Sequence, residues 1–257
     1  KWLWESPLNA LMALPLMLLQ FDYLNILPLY IVLLAVSPAL MIVAHRAPGW
    51  LLAGSIVLWA TVGLGRVTVP TWPAGGTWFF SPLSWQIIFV IGLLIGVALK
   101  QGRRLVPVRR WLLLLAGGYL LFALVDARFM VVSNGLGHFM LWLRRDLGMP
   151  WMLTDFNKPF VTVPRLLHIL ALTYVVASLP LIARVCASPV LKPLAILGRQ
   201  SLPVFALGSV LAVGLQGVFK AVDHGPLLEA LVLGGGLALQ FALAWARESW
   251  PKPSRSR

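Results

Sequence analysis

Apolar residues run along this chain in long blocks, not in strand-like alternation or on one helical stripe. Seven blocks can be drawn, at about 24–44, 49–65, 83–100, 111–131, 161–183, 201–219 and 226–245. Each is near the roughly 20 residues that a helix needs to cross ~30 Å of hydrocarbon. The pattern predicts an all-α, polytopic transmembrane helix bundle. Ahead of the first block, SPLNALMALPLMLLQ is too short to cross and contains Pro15. It reads as an interfacial or re-entrant helix, or as the end of a truncated span.

Composition strengthens this picture. With 60% hydrophobic and 11% charged residues in 257, the chain lacks the polar surface of a soluble domain. It reads as a single integral membrane domain over 1–257, with 246–257 as a basic tail. Because it opens on Lys1, it also reads as the C-terminal part of a longer protein. The single cysteine, Cys186, excludes an intrachain disulfide and a cysteine-based metal site.

The net charge of +13 does not point to nucleic acid, because the cations lie in short loops between spans. Arg46, Lys100, Arg103, Arg104, Arg109, Arg110, Arg184, Lys192, Arg199 and the tail cations alternate onto one side. On the other side, Lys1, Arg66, Arg128, Arg144, Arg145, Lys158, Arg165 and Lys220 are diluted over longer loops and accompanied by most acids. The first side is therefore expected to be cytoplasmic, with the C-terminus inside. Trp50, Trp111 and Trp245 then fall at inner span ends, and Trp72, Trp78, Trp85, Trp142 and Trp151 at the outer face, as an interfacial belt requires. Two outer loops stand out for length. TVPTWPAGGTWFFSPLS is rich in proline, glycine and aromatics, and the stretch at 132–160 contains the amphipathic GHFMLWLRRDL.

The candidate chemistry gathers at that outer level. The fifth block opens with TVPRLLH, where Thr162 can cap, Pro164 suits the first turn, and Arg165 and His168 share a face. Arg165 sits against the positive end of the helix dipole, which disfavours it unless something anionic is near. Either Arg165 snorkels to headgroups while His168 caps a carbonyl, or both line a polar cavity that binds an anion and exchanges a proton. Asp22 can pair Arg165 or orient a histidine. Asn25 can cap the first span or contact substrate. Trp85 and Gln86 open the third span as an interface aromatic beside an amide, or as a platform and hydrogen-bonding group for a sugar. Asp155, Asn157 and Lys158 are a polar loop or further substrate contacts. These groups are expected to converge on a common chamber. On the inner side, Arg199 and Ser201 in LGRQSLPVF are a loop cation and a helix cap, or part of an acyl-donor mouth with the basic 100–110 loop.

No phosphate-cradling glycine loop, zinc-type histidine pair or Gly-x-Ser-x-Gly elbow occurs. The GGG at 234–236 reads as a site of close helix packing.

Four segments, FDYLNILPLYIVLL, WFFSPLSWQIIFVIGLLIG, PRLLHILALTYVV and LGRQSLPVFALGS, resemble in order and spacing the OpgC-type proteins of the acyltransferase-3 class. The resemblance implies a roughly ten-helix inner-membrane enzyme, of which this chain is about the C-terminal two-thirds. Such proteins move succinyl groups from a cytoplasmic succinyl-CoA to hydroxyls of osmoregulated periplasmic glucans, and no bound cofactor or metal is implied. The class is thought to use a histidine on an early span, which places the principal base upstream of these segments. It also tends to carry a histidine after the serine–aromatic motif of the later span, where this chain has Gly208 and Ser209. Arg165 would then serve a succinyl carboxylate or the oxyanion, and His168 would position the acceptor hydroxyl. The expected partners are lipid, acyl-CoA and a glycan, with no nucleic acid. A transporter or flippase of an anionic or glycan substrate, and a non-catalytic membrane scaffold, are the competing readings. The paired repeats and broken helices common in transporters are not evident.

Overall fold

The computed structural model describes residues 25–72, 75–221 and 225–249. Among them no β-strand forms, and the helices group into two compact units divided after Ser178.

The first unit holds α1 (Ile26–Arg46), α2 (Pro48–Leu64), α3 (Pro82–Lys100), α4 (Arg110–Arg128), α5 (Met130–Arg145), α6 (Trp151–Thr154) and α7 (Val163–Ser178). α1, α2 and α3 form one trio, α4 and α7 pair antiparallel, and α6 touches both α2 and α7. α1, α3 and α4 are each long and apolar enough to cross a membrane, whereas α2 has only 17 residues, about 26 Å of helix. α3 is the most enclosed, with 28% of its central window buried against 6–11% for α1 and α4. This fits its place against both α1 and α2. The remaining faces present Leu, Ile and Val outward, as lipid-facing helices do. Trp50 and Trp111, at helix starts, are 82% and 58% exposed.

The fifth apolar block does not run unbroken to Ala183. α7 ends at Ser178, Leu179 is extended (φ −91°, ψ 112°), and α8 (Pro180–Cys186) begins afresh. Pro180 has no N–H to donate and disfavours helical backbone in the residue before it, so the break falls where the chemistry puts it.

The second unit continues with a 3-10 turn at Pro189–Leu191, α9 (Lys192–Arg199), α10 (Ser201–Ala221) and α11 (Pro226–Ser249). α11 qualifies as a span by itself. The stretch Pro189–Arg199 meets the following helix at 79°. The hinge residue is Gln200 (φ −105°, ψ 31°), and Pro203 blocks any continuous helix through it. Gly208 is where α10 and α11 come close, since a Cβ there would stand 3.0 Å from Gln240 Nε2. The GGG at 234–236 does not make the close contact expected of it, because a Cβ on any of these glycines meets open space.

One buried polar contact fastens α2 to α3. Ser55 Oγ donates to Gln86 Oε1 at 2.6 Å, and Gln86 Nε2 donates back to the Ser55 carbonyl at 2.9 Å. Both residues are buried, so neither can turn to water if its partner is lost. A double-mutant cycle with Ser55→Ala and Gln86→Leu is expected to show coupling of about 0.6–2 kcal/mol in thermal unfolding, as for interhelical hydrogen bonds in membranes. Strictly additive losses would remove this pair as a helix clamp.

Candidate functional site

The site lies at the end of the first unit where the 65–81 and 129–162 segments connect the helices. The described residues of this 65–81 connection fold back on themselves: Trp78 N donates to the Val69 carbonyl at 2.8 Å, and Thr71 N to the Gly76 carbonyl at 3.0 Å. Gly75 (φ 72°) and Gly76 (φ 106°) supply the left-handed backbone for this reversal. The segment 151–162 inserts between α2 and α3. Its Met152 and Phe160 join Trp59 and Ile87 in one buried cluster. Trp59 Nε1 donates to the carbonyls of Phe160 (3.2 Å) and Val161 (3.0 Å). Arg66 lies over the Trp151 ring at 4.6 Å, and Trp151 meets Phe160 edge-on at 5.2 Å.

That insertion aims α7. Val161 is fully buried and sits at φ 48°, a left-handed conformation that a β-branched residue adopts only when its surroundings force it. Asn157 holds the same turn, its Oδ1 accepting from Phe160 N at 3.3 Å and its carbonyl from Thr162 N at 3.4 Å. α7 then runs back along α4. Tyr119 OH donates to the Pro164 carbonyl at 2.7 Å. Further along the pair, Tyr174 OH donates to the Pro107 carbonyl at 3.1 Å and accepts from Arg109 N at 3.0 Å. Tyrosines on both helices thus pin one antiparallel register.

Between α4, α5, the 151–156 segment and α7 opens a cleft of about 470 Å³. Tyr119, Asp126, Arg165 and His168 supply its polar lining, and Phe122 and Phe156 contribute to its apolar wall. Arg165 is half-buried and anchored: Nη2 donates to the Phe156 carbonyl at 3.0 Å. His168 is exposed, with its ring edge-on to Tyr119 at 6.3 Å. Asp126, near the end of α4, has its Oδ1 buried without a hydrogen-bond partner among the described residues. So has Arg165 Nε.

The structure therefore brings Arg165 and His168 together on one cleft wall. Among the described residues, it brings none of the others expected there to that cleft. Gln86 is committed to Ser55, and Trp85 stacks edge-on against Phe80 at 4.9 Å. Asp155, Asn157 and Lys158 belong to the turn that precedes α7; Asp155 is half-buried and Lys158 exposed. Asn25 does not cap α1: its backbone is helical (φ −55°, ψ −23°), where a capping residue is extended, and its Oδ1 has no partner among the described residues. Thr162, just before α7, donates its hydroxyl to the Asn157 carbonyl at 3.4 Å. Asp22 lies outside the described residues.

In the second unit Arg199 pairs with Glu248 at 3.0 Å, with Gln200 Nε2 3.4 Å from the other carboxylate oxygen. Ser201 is the first residue of α10, and Gln200 stands in the cap position. Ser209 Oγ donates to the Phe205 carbonyl of its own helix at 3.0 Å. Among the described residues no cluster of histidine, cysteine and carboxylates could hold a metal ion.

Asp126 and Tyr119 are the polar lining residues that sequence reasoning passed over. For Asp126 the signal was present: a carboxylate inside an apolar block is a functional candidate by default. Tyr119 carried no such mark, because a tyrosine in a span is commonplace.

Long apolar helices that enclose a cleft lined by a carboxylate, a guanidinium, an imidazole and a phenol define an integral membrane protein with a polar site at one end of its bundle. The model of the OpgC protein family matches residues 1–252. The chain belongs to the OpgC family, and an OpgC-like function follows from that membership. No curated protein and no solved structure matches the chain.

Proposed function

We propose that this chain forms part of a membrane O-acyltransferase that moves an acyl group, most simply succinyl, from a cytoplasmic CoA thioester to hydroxyls of a periplasmic glucan. The observation that carries this reading is the polar cleft between α4 and α7, in a chain of the OpgC family. In the transfer the hydroxyl oxygen bonds to the acyl carbon, the thioester C–S bond breaks, and the hydroxyl proton ends on the departing CoA thiol. The step needs a relay for that proton and a donor for the oxyanion that forms at the carbonyl. In this reading Arg165 is the oxyanion donor, its Nη2 already fixed on the Phe156 carbonyl. His168 orients the acceptor hydroxyl from one turn further along α7. The cleft end is the periplasmic end, because the opposite end carries the dense cations of the 100–110 loop.

Membranes containing the protein, given succinyl-CoA labelled in the acyl group and a neutral glucan, are expected to place covalent label on the glucan. Movement of glucan into or out of vesicles with no label attached would reject acyl transfer and favour transport.

A further inference from the structure

We infer that Asp126 is a ligand-binding residue, and that the α4–α7 cleft takes a neutral polyol, the acceptor sugar, and not the acyl carboxylate. The inference rests on the acceptor half of the proposed function. It starts from two side chains that line the same cleft, Asp126 and Arg165, each of which keeps one buried atom, Oδ1 and Nε, without a hydrogen-bond partner among the described residues. One is a bare acceptor and the other a bare donor. Buried polar groups left this way are costly, and a small turn of either side chain toward a ligand in the cleft recovers that cost.

The ligand's chemistry follows from the pair. A carboxylate offers acceptors only; it suits Arg165 but meets Asp126 as a like charge and leaves it unbonded. An ammonium offers donors only and leaves Arg165 unbonded. A hydroxyl does both, so neighbouring hydroxyls of a sugar can donate to Asp126 and accept from Arg165 together. Phe122 and Phe156, 45% and 46% exposed at the cleft, offer ring faces to the C–H surface of a pyranose. The 470 Å³ volume falls in the roughly 300–1,000 Å³ range of small-molecule sites, enough for a short oligosaccharide. Arg165 thereby loses one of its two expected tasks: it faces the acceptor and the developing oxyanion, and the succinyl carboxylate is held elsewhere.

The test is binding without chemistry. Detergent-solubilised protein, with no acyl donor, is titrated with neutral glucotetraoses of several linkages and observed by saturation-transfer NMR. Saturable binding is expected, with no displacement by succinate at equal concentration. Asp126→Ala should weaken binding by roughly 10- to 100-fold, the loss of a hydrogen bond to a charged group. Phe156→Ala should weaken it by roughly 3- to 10-fold. Should Asp126→Ala fail to fold by thermal melt, Asp126→Asn, which trades the charged acceptor for a weaker neutral one and should weaken binding by roughly 3- to 10-fold, and the exposed Phe156→Ala carry the test. Absence of binding, displacement by succinate, or affinity unchanged in the folded variants overturns the inference. The two proposals fail separately. Asp126-dependent sugar binding without label transfer rejects acyl transfer alone, and label transfer with Asp126-independent binding rejects the cleft assignment alone.

Discussion

Membranes carrying Arg165→Ala are expected to transfer label to glucan at roughly 1/100 to 1/1000 of the parent rate, the usual consequence of removing one oxyanion donor. The size of the effect comes from preorganisation. The guanidinium is tethered through Nη2 to the Phe156 carbonyl, so a cleft-lining cation is held in place without first having to be ordered. The apolar surroundings of α4 and α7 also screen its charge less than water would. Arg165→Lys should recover little, because an ammonium is a compact point charge without the planar fork that holds one N–H on the Phe156 carbonyl and aims others from the same rigid group. His168→Ala is expected to be milder in binding but to lower turnover by about 100-fold, the effect of losing the group that orients the acceptor hydroxyl; its exposed ring meets Tyr119 edge-on. Rates measured at matched protein levels, beside thermal melts in detergent, separate chemistry from folding. Arg165→Gln, which keeps a donor for the Phe156 carbonyl, serves as the control for the tether. Unchanged turnover in both Arg165→Ala and His168→Ala would end their assignment as catalytic groups.

What the sequence made legible was set by one-dimensional periodicity. Apolar blocks of spanning length translate directly into α1, α3, α4 and α11, because helix length and lipid thickness are local quantities. Breaks were partly legible: Pro180 and Pro203 fall where α7 stops and α10 starts, yet the fifth block looked continuous because hydropathy does not register a missing N–H. Pairing between helices was not legible. Gln86 opens its span in the same way whether it faces a substrate or a neighbouring serine, and only the partner, 31 residues away, decides. Arg165 and His168 were readable as a pair because helix spacing alone puts them on one face. Asp126 reaches their cleft only through the antiparallel register of α4 on α7, which Tyr119 and Tyr174 fix and no local pattern encodes.

The same reasoning makes Trp59 the residue whose loss should damage the fold most. Its indole is 9% exposed and fills the cluster with Ile87, Met152 and Phe160, so Trp59→Ala removes a large buried ring and is expected to cost about 3–5 kcal/mol. For a protein of this size that is a fall in melting temperature on the order of 10 °C, readable by fluorescence-detected unfolding in detergent. Packing loss is only part of the effect. The N–H bonds two successive carbonyls, at Phe160 and Val161, and Val161 is the residue held at positive φ. Without those bonds the strained turn can relax, and the first turn of α7, which carries Arg165, moves with it. Trp59→Phe separates the two contributions: it keeps much of the ring, forfeits the N–H, and should cost about 1–2 kcal/mol in stability. If the turn is held from α2, that variant should also lose glucan binding out of proportion to its stability, although Trp59 is not among the cleft-lining residues. Binding that tracks stability alone in Trp59→Phe would mean that α7 is positioned by Tyr119 and Asn157 without help from α2.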